Sequence, residues 1–111
     1  MQTSRFEARV RATGEAAVVE LEGDIDAGAE AALEQAYADA TANGATVVTL
    51  DFSDIGYINS TGIALLVGLL AHGRRDRVEL EARGLSNHYR EIFEITRIAD
   101  FVRIVPDGDA G

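Results

Sequence analysis

Two apolar segments joined by a polar stretch constrain this chain most. Residues 46–52, TVVTLDF, are β-branched and almost continuously apolar, and residues 63–71, IALLVGLLA, are the longest apolar run. The first has the character of a central strand in a parallel sheet, covered on both faces. The second reads as a helix buried on most sides, and it falls far short of the ~18 residues needed to span a bilayer. Between them lies DFSDIGYINSTG, residues 51–62, with two acids and an Asn-Ser-Thr-Gly cluster. Such a joint can be a plain helix cap, a catalytic or phosphoacceptor site, or a switchable docking surface.

The flanking sequence repeats the alternation of strand and helix. Arg5 to Val10 alternates polar and apolar residues at period two, as a half-exposed strand does. Thr13-Gly14-Glu15 supplies a turn, and Ala16 to Leu21 a second strand that pairs with the first as a hairpin. Glu22-Gly23-Asp24-Ile25-Asp26 breaks it. Asp26 suits the N-cap of an alanine-rich helix over Ala27 to Ala42, packed through Leu33 and Tyr37 and stopped at Asn43-Gly44. After the apolar helix, whose Gly68 suggests close packing, a fourth strand is expected over Arg77 to Ala82. A third helix begins at Ser86, with Tyr89, Ile92, Phe93 and Ile95 on its apolar face. A last short strand, Val102 to Val105, is halted by Pro106. The order β-β-α-β-α-β-α-β predicts an α/β domain: a mixed, mostly parallel sheet of four to five strands with an antiparallel edge strand. The 111 residues fit one domain, residues 1–111, with a core over about 5–105 and a short polar tail.

Composition narrows the function. There is no cysteine, hence no disulfide frame, thiolate metal site or cysteine nucleophile. All ten basic residues are arginine, and nineteen acids bring the net charge to −9. Such a surface repels nucleic-acid phosphates and anionic lipid, so neither nucleic-acid binding nor direct membrane insertion is expected. The first twenty residues lack the central apolar block of a secretory signal, in keeping with a cytoplasmic protein.

The joint offers little catalytic chemistry. Asp51 closes a strand as a phosphoaccepting aspartate would, but that chemistry needs a lysine and an acidic cluster for magnesium, and the chain has no lysine. Ser60 lacks a nucleophile elbow. His72 reads as a helix-end residue and His88 as a surface or partner-contact residue in a first helical turn. No metal-ligand spacing and no glycine-rich phosphate loop occur, so no metal, cofactor or enzyme activity is expected. Asn59, Ser60 and Thr61 can each cap a helix, an interaction worth about 1 kcal/mol. One cap suffices. The remaining hydroxyl then stands where a helix N-terminus can hold a phosphate.

The segment from Asp51 through Gly62 and its following helix resembles the STAS family, and within it the bacterial anti-sigma-factor antagonists. Glu22-Gly23-Asp24-Ile25-Asp26 is similar to the turn after the family's second strand, and Gly84-Leu85-Ser86 through Ile98 to its late helix, with Phe93 at a recurrent aromatic. The resemblance implies a phosphorylation site at Ser60, with Thr61 as a second site, and partner contacts at Asp24, Asp26, Asp54, Asn59 and Gly62. It implies as partners an anti-sigma factor serine kinase of the histidine-kinase-type ATPase fold and a PP2C-type phosphatase, with the domain a monomer or weak dimer. Asn59 departs from the family, which carries aspartate there; it still caps a helix but lacks the charge. Other STAS domains serve as subunits of ABC-type lipid transport systems or as scaffolds of stress-signalling complexes, and these remain alternatives.

Overall fold

The structure is a computed structural model that describes residues 6–105. Arg5, Pro106 and the polar tail lie outside those residues. Five strands form one sheet in the order β1-β2-β3-β4-β5. They are β1 (Phe6–Thr13), β2 (Ala16–Ile25), β3 (Val47–Ile58), β4 (Glu79–Arg83) and β5 (Arg103–Ile104). The hairpin β1–β2 is antiparallel and every other pair is parallel. This is the α/β arrangement expected from the alternating pattern.

Three helices complete the domain: α1 (Glu30–Thr41), α2 (Ser60–Asp76) and α3 (Asn87–Ile95). They cover one face of the sheet. Alternate strand residues Val19, Leu21, Val48, Leu50, Phe52, Leu80 and Ala82 are buried there with Leu33, Leu66, Leu70 and Phe93 in a single core. Phe52 and Phe93 meet edge to face at 6.0 Å, the geometry that ring quadrupoles favour. The other sheet face carries polar pairs, among them Arg11–Glu20 at 2.7 Å and Arg83–Asp51 at 3.0 Å.

That open face corrects the reading of β3 as a strand covered on both sides. Its first six residues alternate between partly and fully buried. Thr49 and Asp51 use the solvent side to reach Glu81 and Arg83 on β4. Apolar β-branched residues gave this half-covered strand the appearance of a fully covered one.

Several boundaries also move. β2 does not end at Leu21. It continues to Ile25 through register shifts at Glu20/Glu22 and Gly23/Asp24, with Gly23 at φ 104°, a left-handed value suited to glycine at a bulge. β3 runs on to Ile58 because that extended β2 remains its partner. The first turn after Asp26 is a 3-10 turn, Ala27–Ala29, and α1 proper starts at Glu30. α2 reaches Asp76, so His72 lies inside the helix and not at its end. Its Nδ1 sits 3.2 Å from Arg75. Ile95, expected on the apolar face of α3, is 73% exposed, since α3 gives way to a left-handed Arg97 before the chain turns back.

Candidate functional site

Asn59 leaves β3 in an extended conformation, φ −89° and ψ −178°, and its Oδ1 accepts the Gly62 N–H at 2.8 Å. Asparagine is among the best residues for this role. The cap is thereby filled by one side chain. Ser60 and Thr61 follow as the first two residues of α2, both exposed. Neither hydroxyl makes a hydrogen bond among the described residues. Their backbone N–H groups belong to the helix start, where intrahelical acceptors are lacking and the macrodipole is positive.

Gly62 holds this corner against the sheet. It is buried, and a Cβ there would collide with the Ile25 carbonyl oxygen and stand 2.8 Å from its carbon. It therefore lies below the surface and sets how closely α2 approaches β2. Gly68 was expected to pack closely, yet nothing lies within 4 Å of its Cβ position. The close approach belongs to Gly62 and to Gly73, whose Cβ would stand 2.9 Å from Leu80 Cδ1 and 3.1 Å from the Val78 oxygen.

Two further bonds fix the end of β3. The Asn59 N–H donates to the Ile25 carbonyl at 3.2 Å. On the opposite edge, β4 pairs with β3 only as far as Asp51, which leaves Ile58 without a strand neighbour on that side. The Tyr89 hydroxyl from α3 takes the place of that strand, accepting the Ile58 N–H at 2.8 Å. A buried N–H left without an acceptor would cost about 1–3 kcal/mol. The amino-acid sequence marks Tyr89 only as apolar; its polar task depends on a contact 31 residues away.

The acidic residues separate into three groups. Asp24 and Asp26 flank Ile25, which is paired with Ile58, so both lie at the Ser60 end of the sheet. Asp24 is half-buried beside Gly56; Asp26 accepts the Gly28 N–H at 2.9 Å and caps the 3-10 turn. Asp54 is exposed but stands four residues before Ile58, roughly 13 Å back along an extended strand. It pairs in register with Glu22, two residues before Asp24, so it lies further back along the sheet from Ser60 than Asp24 and Asp26 do. Asp51 is engaged elsewhere. It accepts the Ser53 hydroxyl at 2.6 Å, the Ser53 N–H at 3.0 Å and Arg83 Nη2 at 3.0 Å. Burial pushes its carboxyl up, but these hydrogen bonds and the Arg83 charge outweigh it and hold the pKa below the usual aspartate value. A carboxylate so engaged is a clamp between β3 and β4, not a phosphoacceptor.

One surface residue was missed. Tyr57 is 56% exposed two residues before Asn59, and in register with Asp24. Its sequence signal is an aromatic amid the polar residues of the joint. Among the described residues, no cluster of three His, Asp or Glu side chains could hold a metal ion. None of their helices is long and apolar enough to cross a membrane.

Comparison with known proteins agrees with this architecture. Residues 8–106 match the family model described as "Mlab, STAS domain". The anti-sigma-B factor antagonist of Listeria monocytogenes is 30% identical over 82 residues, which cover 74% of this chain and 72% of that protein. An anti-sigma factor antagonist from Mycobacterium paratuberculosis superposes with a TM-score of 0.74 at 20% identity, over 95% of this chain and 89% of that one. The unphosphorylated form of the antagonist SpoIIAA superposes at 0.69 with 18% identity, over 95% and 91% of the two chains. The chain belongs to the STAS domain family and resembles its anti-sigma factor antagonists.

Proposed function

We propose that this protein is an anti-sigma factor antagonist, which binds an anti-sigma factor kinase while Ser60 is unmodified and lets go when Ser60 is phosphorylated. The observation that carries the reading is the uncommitted, exposed Ser60 hydroxyl at the first position of α2, directly after a cap already filled by Asn59. Phosphorylation replaces the hydroxyl proton with a phosphoryl group from ATP and adds about −1.5 to −2 charges. The new group stands at the end of the sheet that carries Asp24 and Asp26. In an interface of roughly 1,600 Å2, a misplaced dianion can cost several kcal/mol. The rigid corner built by Gly62, Ile25 and Tyr89 requires no refolding for this, so charge alone operates the switch. The Bacillus protein SpoIIAA, similar in fold at a TM-score of 0.67, has been solved in a phosphorylated form.

The protein acts by binding and is not a catalyst. On this reading a PP2C-type phosphatase restores the serine, the cycle runs in the cytoplasm, and the domain works as a monomer or weak dimer. Tyr57, Asp24 and Asp26 are the contacts around Ser60, and Thr61 is the backup hydroxyl. Asn59 supports a second reading, a STAS subunit of an ABC-type transport system, because such a subunit needs no charged residue before the serine.

Peptide mapping of the protein isolated from its own host separates the two readings. A phosphoryl mass localised to Ser60, together with kinase binding by Ser60→Ala and none by Ser60→Asp, supports the switch. An unmodified Ser60 under growth and stress alike, with Ser60→Asp binding its partner as well as the parent does, removes it.

A further inference from the structure

One concave apolar site lies outside the Ser60 corner. We propose that the groove between the C-terminal half of α2 and the turn after α3 binds a single-chain anionic amphiphile of the medium-chain fatty acid class. The tail lies against Val67, Leu70, Ala71, Ile98 and Phe101, and the head meets Arg74. This groove has a volume of about 240 Å3. A dry cavity of ~150 Å3 takes up benzene, with six carbons, so this one has room for about ten. Leu70 and Ile98 form a buried floor, while Val67 and Phe101 stand 47% and 51% exposed as walls. The hydroxyl of Thr96, also in the lining, is already engaged, donating to the Ile92 carbonyl at 2.7 Å. An alkyl chain would therefore replace water on apolar surface, at little polar cost.

The charge at the groove's mouth selects the head group. In a chain of net charge −9, Arg74 makes no ion pair among the described residues. Its guanidinium carbon instead stands 5.3 Å from the Phe101 ring centroid, a cation–π contact that keeps the charge beside the groove. The neighbouring Arg97 is already paired with Asp100 at 2.8 Å. One cation without a salt-bridge partner, above an apolar trough, fits one anionic head on one tail. An extended peptide fits less well. The α2 wall has its backbone groups engaged within the helix and offers no ladder to a strand, whereas an alkyl chain needs none.

The groove begins seven residues along α2 from Ser60, roughly 10 Å at the helical rise, and the proposal does not depend on phosphorylation. The test is an NMR titration of the isotope-labelled full chain with decanoate below its micelle concentration, with decanol as the neutral control. The expected result is saturable shifts at the amides of Val67, Ala71, Thr96 and Phe101. Arg74→Gln should weaken decanoate about two- to fivefold and leave decanol unchanged. Ala71→Trp, at an exposed position, should fill the groove and abolish both. Absence of saturable shifts, equal effects of Arg74→Gln on both probes, or shifts that survive in a folded Ala71→Trp would each overturn the proposal. So would groove amides that ignore decanoate and respond only to the anti-sigma factor kinase, since the groove would then be a protein-docking face.

Discussion

The Ile58 N–H donates to the Tyr89 hydroxyl at 2.8 Å, and this bond ties α3 to the last strand residue before the Asn59 cap. Both residues are buried. The position of Ser60 thus depends on a helix that begins 27 residues later in the chain.

Tyr89→Phe keeps the ring and removes the acceptor. The expected loss is about 1–3 kcal/mol, because the Ile58 N–H is stranded in the interior. Chemical denaturation measures it, and hydrogen exchange at Ile58 should accelerate beyond the global change. An unaltered denaturation midpoint would mean that water replaces the phenol without penalty.

Gly62 and Gly68 should respond in opposite directions to the same substitution. Gly62→Ala drives a methyl into the Ile25 carbonyl, and overpacking of this kind costs about 1–3 kcal/mol. Gly68→Ala meets open space in mid-helix and should gain up to about 1 kcal/mol from helix propensity. Denaturation midpoints of the two variants check both signs.

Asn59 can be tested apart from Ser60. Asn59→Ala removes the acceptor for the Gly62 N–H and should cost about 1 kcal/mol. Asn59→Asp keeps the cap and places a negative charge at the helix N-terminus, which should add roughly 0.3–1 kcal/mol at low salt. Thermal melts at low and high salt distinguish the charge contribution, since salt screens it.

Tyr37 on α1 donates to Asp76, the last residue of α2, at 2.8 Å. Burial first, and the bond to Asp76 second, push its phenol up to about 12. A raised folded-state pKa makes this contribution complete below the ordinary tyrosine value near 10, and it is lost as pH rises through about 12. Ultraviolet titration should show a late phenolate step that disappears in Tyr37→Phe.

Asp51 gives the acid-side counterpart. Its folded-state pKa is depressed, so its contribution is present above the ordinary aspartate value and lost as pH falls through the lower folded value. Arg83→Gln removes one source of the depression and should move the acid unfolding midpoint upward. Carboxyl titration followed by NMR reads the Asp51 value directly.

Element order and sheet direction were legible because strand and helix periodicities alternate cleanly along the chain. Ser60 stood out for a local reason, three capping residue types where one is enough. The extension of β3 was not legible. Asp, Ser and Gly in residues 51–56 have poor strand propensity, and the strand persists there only because a bulged β2 continues beside it. Gly68 is the glycine within the apolar run, whereas close packing depends on which helix face meets the sheet, and that face carries Gly62 and Gly73. The acceptor role of Tyr89 and the seating of Arg74 on Phe101 join residues far apart in sequence, where no periodicity reaches.

The strand order along the sheet is also the order along the chain. A chain made N-terminus first therefore presents each new strand to a neighbour already in place, and no gap has to be held open for a later insertion. Protease challenge of ribosome-bound chains, extended by a C-terminal linker and halted once Asp76 or once Ile95 has left the exit tunnel, would resolve two stages. In the first, β2, β3 and α2 already frame the Ser60 corner; in the second, Tyr89 arrives and fastens it. The serine would then be accessible during synthesis before it is firmly held, and a kinase acting on nascent chains would meet a looser substrate than one acting on the finished domain.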